Sequence, residues 1–259
     1  MIKRSDALHR YFLTLAYKGT RFLGWQKQKE GRTVQGTLEE ALSTILRAEV
    51  SVTGAGRTDT GVHASSYVCH LDLPVEAESA GELIFRANRL LPRDLRLYDI
   101  REVVPEAHAR FDALSRRYGY HVTSRPSPFA YETETEIPAS GLDFDLMNEA
   151  AAALLGSHDF TTFSKGHTDV KTHLCTVTRA EWRREGASGW VFEYEANRFL
   201  RNMVRATVGT LFDVGRGKMT VPEFVRRFLA RDRALASGSA PAEGLFLEEI
   251  TYPSRLFLS

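Results

Sequence analysis

The chain has 259 residues, 43% of them hydrophobic and 26% charged, which is the balance of a globular protein and excludes a disordered, collagenous or disulfide-knit one. Its 34 basic and 33 acidic residues leave a formal charge of +1, so no global excess announces a polyanionic partner, and two cysteines are too few for a disulfide framework. No apolar run approaches the roughly 20 residues of a membrane span, the first residues carry no apolar leader core, and a reducing cytoplasm is the expected setting.

Taken in chain order, "RYFLTLAY" alternates, with Phe12, Thr14 and Ala16 on one face and Tyr11, Leu13, Leu15 and Tyr17 on the other, and predicts a strand. A glycine-punctuated basic loop, "KGTRFLGWQKQKEGR", follows. Val34, Leu38, Ala41, Leu42, Ile45 and Leu46 then recur at helical spacing behind Thr33, a suitable N-cap. "EVSVT" reads as a short strand, "YVCHLDLP" as another. Ser79 and Glu82 make a capping-box pattern ahead of the helix "ELIFRANRLL", and "LRLYDIREVV" returns to strand. The second half repeats the style. It has a strand at "RRYGYHVTS", a helix at "DFDLMNEAAAALLG" with Gly156 as its C-cap, and two strands hinged at "GASG". Helices at "RFLRNMVRATVGTLFDVG" and "VPEFVRRFLA" and a closing strand, "LFLEEITYP", end the chain. Frequent strand–helix exchanges with short strand-to-strand loops predict an α+β fold with a largely antiparallel sheet shared by two similar halves. The expected halves are residues 1–105 and 106–259.

Charge is polarised along the chain. Between Arg198 and Arg233 nine basic residues face three acidic ones, whereas Glu132 to Glu149 holds six carboxylates and no Lys or Arg. A local basic surface is what binding to a phosphate backbone requires, and it is equally what a solvated helix face looks like.

Between two of the predicted strands lies "VTGAGRTDTGVHA". A carboxylate on a glycine-rich loop can approach a ligand closely, and Asp59 there can serve as nucleophile, general base or metal ligand, or simply satisfy turn amides. Metal binding wants more ligands than are near: Cys69 and His70 are adjacent on a strand and point to opposite faces. The pattern G-x-x-x-x-G-K-[ST] for a phosphate loop is absent. Arg57 can pair with Asp59 or enter stacked bases. In the helix expected from Arg198, Arg198, Arg201, Asn202 and Arg205 fall opposite the apolar stripe, placed to meet a carboxylate or phosphates. In "RFDALSRRYGYHV", Tyr118 and Tyr120 share a strand face beside Arg110, Arg116 and Arg117, a combination suited to bases and phosphates and also to an ordinary core with a basic rim.

Together these segments resemble the tRNA pseudouridine synthases of the A type. "GAGRTDTGVHA" is similar to the family's G-R-T-D-x-G-V-H-A signature, "AHARFDALSRRYGY" to its second element, "NRFLRNMVRATVG" to the segment holding its M-V-R arginine, and "APAEGLFLEEITY" to its closing A-P-x-x-G-L-x-L. "AYKGTRFLGWQKQ", "TVQGTLEEAL" and "GSHDFTTFS" also match. Arg201 and Asn202 stand where the family often has histidines, and "KGHTDVKTHLC" is outside its core pattern.

The resemblance implies the pseudouridine synthase fold, with helices on one side of the sheet and a cleft between the halves. It implies isomerisation of uridine to pseudouridine in the anticodon stem-loop of tRNA, at positions 38–40. Asp59 would be the catalytic carboxylate, Arg205 its partner, and Tyr118 the ring that stacks on the target base. Leu245 would pack on the base's other side, and Arg57 would help turn the nucleotide out. His63, Arg198 and Arg201 would complete the substrate-binding set. No cofactor and no metal are expected, the partners being tRNA and a second copy of the chain in a homodimer. The alternatives are a non-catalytic RNA-binding module, which would need neither Asp59 nor Arg205, and a metal-dependent phosphodiesterase, for which too few ligands can be assembled.

Overall fold

The structure is a computed structural model that describes residues 2, 4–75, 79–138, 141–165 and 171–258. The chain forms two compact units, Met1–Leu114 with Leu247–Ser259, and Ser115–Phe246.

In the first unit the alternating run becomes β1 (Arg4–Tyr17), which pairs antiparallel with both β3 (His63–Val75) and β4 (Leu95–Val103). Leu13 meets Cys69 on one side and Ile100 on the other, and Leu13 and Leu15 are wholly buried. The periodicity places α1 at Val34–Leu46, and Thr33 caps it, its hydroxyl accepting the Gly36 N–H at 3.2 Å. The expected strand "EVSVT" shortens to β2 (Thr53–Gly54), paired with β3 through Gly54 and Cys69. α2 (Ala80–Leu90) packs on β4. Its expected capping box does not close. Ser79 sits at φ −90°, ψ 0°, outside the extended region from which a cap hydroxyl reaches the helix amides, and Glu82 pairs with Arg86 instead.

On the other side of β1, Phe12 packs with Val68, Val103, Ala107, Ala109 and Leu256. The Tyr252 hydroxyl donates to the Ala109 carbonyl at 2.6 Å, and Leu258 N–H donates to Glu102 O. These contacts hold residues 105–114 and the C-terminal segment in the first unit. The break therefore falls after Leu114, beyond the Pro105 suggested by the sequence.

The second unit builds a sheet in the order β5 (Ser115–Thr123), β9 (Gly189–Ala196), β8 (Leu174–Glu185), β7 (Gly156–Asp159), all antiparallel, with β6 (Thr135–Glu136) parallel on β5. The hairpin read at "GASG" is present, closing at Glu185 opposite Gly189. α3 (Phe144–Ala152) packs on β8 and against α4 (Met203–Gly215) and α5 (Val221–Leu229). Both units are α+β with mostly antiparallel pairing, as expected.

Two helix ends differ from the reading. α3 stops at Ala152, and Gly156, expected as its cap, opens β7 with φ +95°. α4 begins at Met203, well after Arg198. Asn202 takes a left-handed backbone, φ +65°, held by its side-chain amide donating to Ser239 Oγ at 2.8 Å, and a left-handed residue cannot continue a right-handed helix. Within "KGHTDVKTHLC", residues 166–170 lie outside the described ones. Among the described residues no helix is long and apolar enough to cross a membrane.

Candidate active site

Asp59 rides on the loop between β2 and β3, half-buried, with Arg57 exposed beside it. The loop is fastened from several directions. The Asp59 carbonyl accepts the Val62 N–H at 3.2 Å, closing a turn around Asp59 itself. Thr58 is buried, its hydroxyl 2.8 Å from the Tyr17 hydroxyl of β1 and its carbonyl accepting the Trp25 N–H at 3.3 Å. The Trp25 and Tyr67 rings stack at 4.0 Å, and the Tyr67 hydroxyl donates to the Gly56 carbonyl. A buried aromatic shelf therefore carries the loop, and its polar tips bond the loop backbone.

Two glycines of the basic loop explain how the chain comes so close. Gly24 has φ +89°, and a Cβ there would stand 2.4 Å from the Thr58 carbonyl oxygen and 3.1 Å from the Asp59 carbonyl carbon. At Gly19 a Cβ would stand 2.0 Å from the Val62 carbonyl oxygen. Any side chain at either position has to push the Asp59 loop away. In the sequence these glycines read as loop punctuation; their role depends on residues about forty positions away.

His63, expected to contact substrate, has no exposed surface, and its Nδ1 accepts the Gly19 N–H at 2.9 Å. It begins β3 and points into the first unit's interior, where it fixes the strand to the Gly19 turn.

Of the remaining expected residues, Tyr118, Arg205, Leu245, Arg198 and Arg201 belong to the second unit. Tyr118 lies on β5 opposite Tyr194 of β9, its ring edge-on to Phe199 at 5.0 Å. Tyr120 shares that face, packing on Phe212; its hydroxyl meets Thr135 Oγ1 at 2.8 Å and Pro241 O at 3.0 Å, and burial pushes its pKa up. The Arg205 guanidinium donates through Nε to the Ala240 carbonyl at 2.7 Å, while Ala240 N–H donates back to Arg205 O. That reciprocal pair holds the Arg205 side chain against the 238–241 segment. Leu245 is buried at the start of β10 (Leu245–Thr251), with its N–H on Ala242 O.

The arginine ladder does not form as read. Because α4 starts at Met203, Arg198 and Arg201 sit in the preceding loop and do not share a helical face with Arg205. Arg201 is exposed, and its carbonyl accepts the Lys165 N–H. Part of the basic run is neutralised locally. Arg226 and Arg227 both bond Glu223, and their hydrogen bonds draw that carboxyl down to about 2; Arg216 faces Asp213 at 3.6 Å and Arg231 faces Asp159 at 3.8 Å.

Comparison with known proteins agrees in one direction. The description of the tRNA pseudouridine synthase family matches residues 14–112 and 150–253. A protein of Parabacteroides distasonis is 51% identical over 253 residues, covering 96% of this chain and 98% of its own length. One of Porphyromonas gingivalis is 52% identical over 251 residues, at 96% and 99% coverage, and one of Sinorhizobium fredii is 40% identical over 249 residues, at 94% and 99%. Each of the three carries the name tRNA pseudouridine synthase A.

Proposed function

The chain belongs to the tRNA pseudouridine synthase family, and from that premise we propose that it isomerises uridine to pseudouridine in the anticodon stem-loop of tRNA with Asp59 as its catalytic carboxylate. A base inside a stem is out of reach, so the target nucleotide turns out, with Arg57 taking its place in the stem. Asp59 then bonds covalently to the uridine, at C6 of the base or C1′ of the sugar. The N1–C1′ bond breaks, the uracil turns, a C5–C1′ bond forms, and the bond to Asp59 breaks with its electron pair returning to the carboxylate. C5 gives up its proton and N1 gains one, so atoms and oxidation state are conserved and no cofactor takes part. Arg205 pairs with the carboxylate, Tyr118 stacks on the base and takes up the C5 proton, and Leu245 closes the base's other side. Arg198 and Arg201 meet phosphates. The working enzyme is a cytoplasmic homodimer.

The observation that carries this reading is the mounting of Asp59. A carboxylate placed only to satisfy a turn needs no buried shelf of Tyr17, Trp25 and Tyr67 and no pair of glycines admitting a second chain against its backbone. The test is Asp59→Ala with tRNA labelled with tritium at C5 of uridine. Release to water falls to background, while tRNA affinity stays within about threefold because the phosphate contacts remain. Appreciable turnover by the variant overturns the assignment, and a wild-type protein that binds tRNA without releasing tritium is the non-catalytic module.

A further inference from the structure

α1 carries two polar side chains on its inner side, Gln35 and Glu39, one turn apart and 9% and 6% exposed. A carboxylate that deep is uncommon unless its oxygens are occupied, and these are. Glu39 Oε1 accepts the Val52 N–H at 3.1 Å and the Gln35 side-chain amide at 3.0 Å, while Oε2 accepts Lys27 Nζ at 3.0 Å. The same Gln35 amide donates to the Val52 carbonyl at 3.1 Å. Two side chains thus bond both polar groups of the Val52 backbone, as a neighbouring strand would, at the point where the chain enters the Asp59 loop.

Gln35 reaches the other way as well. Its Oε1 accepts the Lys27 N–H at 3.0 Å and the Gln26 amide at 2.8 Å, and its own backbone N–H donates to the Trp25 carbonyl at 3.0 Å. Residues 24–27 form the wall behind Asp59, since Trp25 N–H bonds Thr58 O and Gly24 lies against the Thr58–Asp59 peptide. One hub fixes both the strand leading into the loop and the segment behind it.

We infer that Gln35 and Glu39 are positioning residues for Asp59, setting the catalytic loop's place from beneath without touching substrate. The inference rests on the proposed function for its catalytic readout and on the loop's own order for an independent one. Glu39→Ala deprives the buried Val52 N–H of its acceptor. It is expected to lower kcat for pseudouridine formation at least about tenfold with KM for tRNA within about threefold, since a misplacement of roughly 1 Å is worth up to about a hundredfold. Glu39→Gln keeps an acceptor oxygen toward Val52 and Gln35 and restores kcat to within about threefold.

Amide hydrogen exchange separates positioning from plain stability. In Glu39→Ala, and in Gln35→Ala should the first variant not fold, residues 53–62 exchange at least about tenfold faster while β1 and β4 keep their protection. A folded variant with wild-type kcat and wild-type loop exchange overturns the inference, and so does protection lost equally across the whole sheet. If the wild-type protein forms no pseudouridine, the proposed function fails alone and loop exchange still decides the role of the hub.

Discussion

Gly24→Ala tests the mounting of Asp59 most directly. At φ +89° an alanine costs about 1–2 kcal/mol for the left-handed backbone alone. Its Cβ would lie 2.4 Å from the Thr58 carbonyl oxygen, and ordinary contact begins roughly 1.0 Å further out, so Thr58 and Asp59 must give way by about that much. Moving them loosens the Trp25 N–H bond to Thr58 O and the Tyr17–Thr58 hydroxyl bond, each contributing on the order of 1 kcal/mol. The sum is about 3–4 kcal/mol, which a domain of ordinary stability survives, with Tm lowered by roughly 10 °C. The same displacement shifts the carboxylate by close to 1 Å, for which the expected loss in kcat is on the order of a hundredfold, with tRNA affinity little changed. Single-turnover tritium release, thermal melting and filter binding of tRNA measure the three quantities. Gly81→Ala is the companion: a Cβ there meets nothing within 4 Å, and in α2 the change stabilises by about 0.5–1 kcal/mol with kcat unaltered. A folded Gly24→Ala protein with wild-type Tm and kcat refutes the reasoning.

Three further outcomes are expected. His63→Leu leaves the buried Gly19 N–H without its acceptor and lowers stability by about 2 kcal/mol, yet the dependence of tRNA affinity on salt stays as in the wild type, because His63 meets no phosphate; a shallower salt slope would restore it to the binding surface. Arg205→Leu lowers kcat far more than tRNA affinity, whereas equal losses in both would make Arg205 an RNA contact only. Burial pushes the His70 imidazole down to about 4, beside His108, Arg10, Asp72 and Asp112. The unfolded chain therefore takes up a proton that the fold refuses. Stability present above pH 6.5 is lost as pH falls toward 4, by on the order of 2 kcal/mol, and urea unfolding of His70→Asn shows a flatter dependence over that window if the assignment is right.

Much of this protein was legible in the chain alone. Alternation located β1, and helical spacing behind the Thr33 cap located α1, because these signals join residues a few positions apart. The signature loop was equally plain, since its residues are contiguous. The start of α4 is not legible locally, because nothing nearby distinguishes Arg198–Asn202 from a helical turn; the bond from Asn202 to Ser239 that accompanies its left-handed backbone spans 37 positions. The burial of His63 is not legible locally either, since the Gly19 N–H that donates to it lies 44 positions away. Chain order puts the C-terminal segment at the close of the second half, and only its packing on Phe12 and Ala109 places it in the first unit. What the sequence determined by itself was the signature that places the chain in its family, and through it the residues proposed to carry the chemistry. What only the tertiary structure decided was what holds them in place. Gly24 against Thr58, and Gln35 and Glu39 against Val52, are close approaches between distant parts of the chain, and such approaches depend on the path of the backbone, which short-range patterns do not encode.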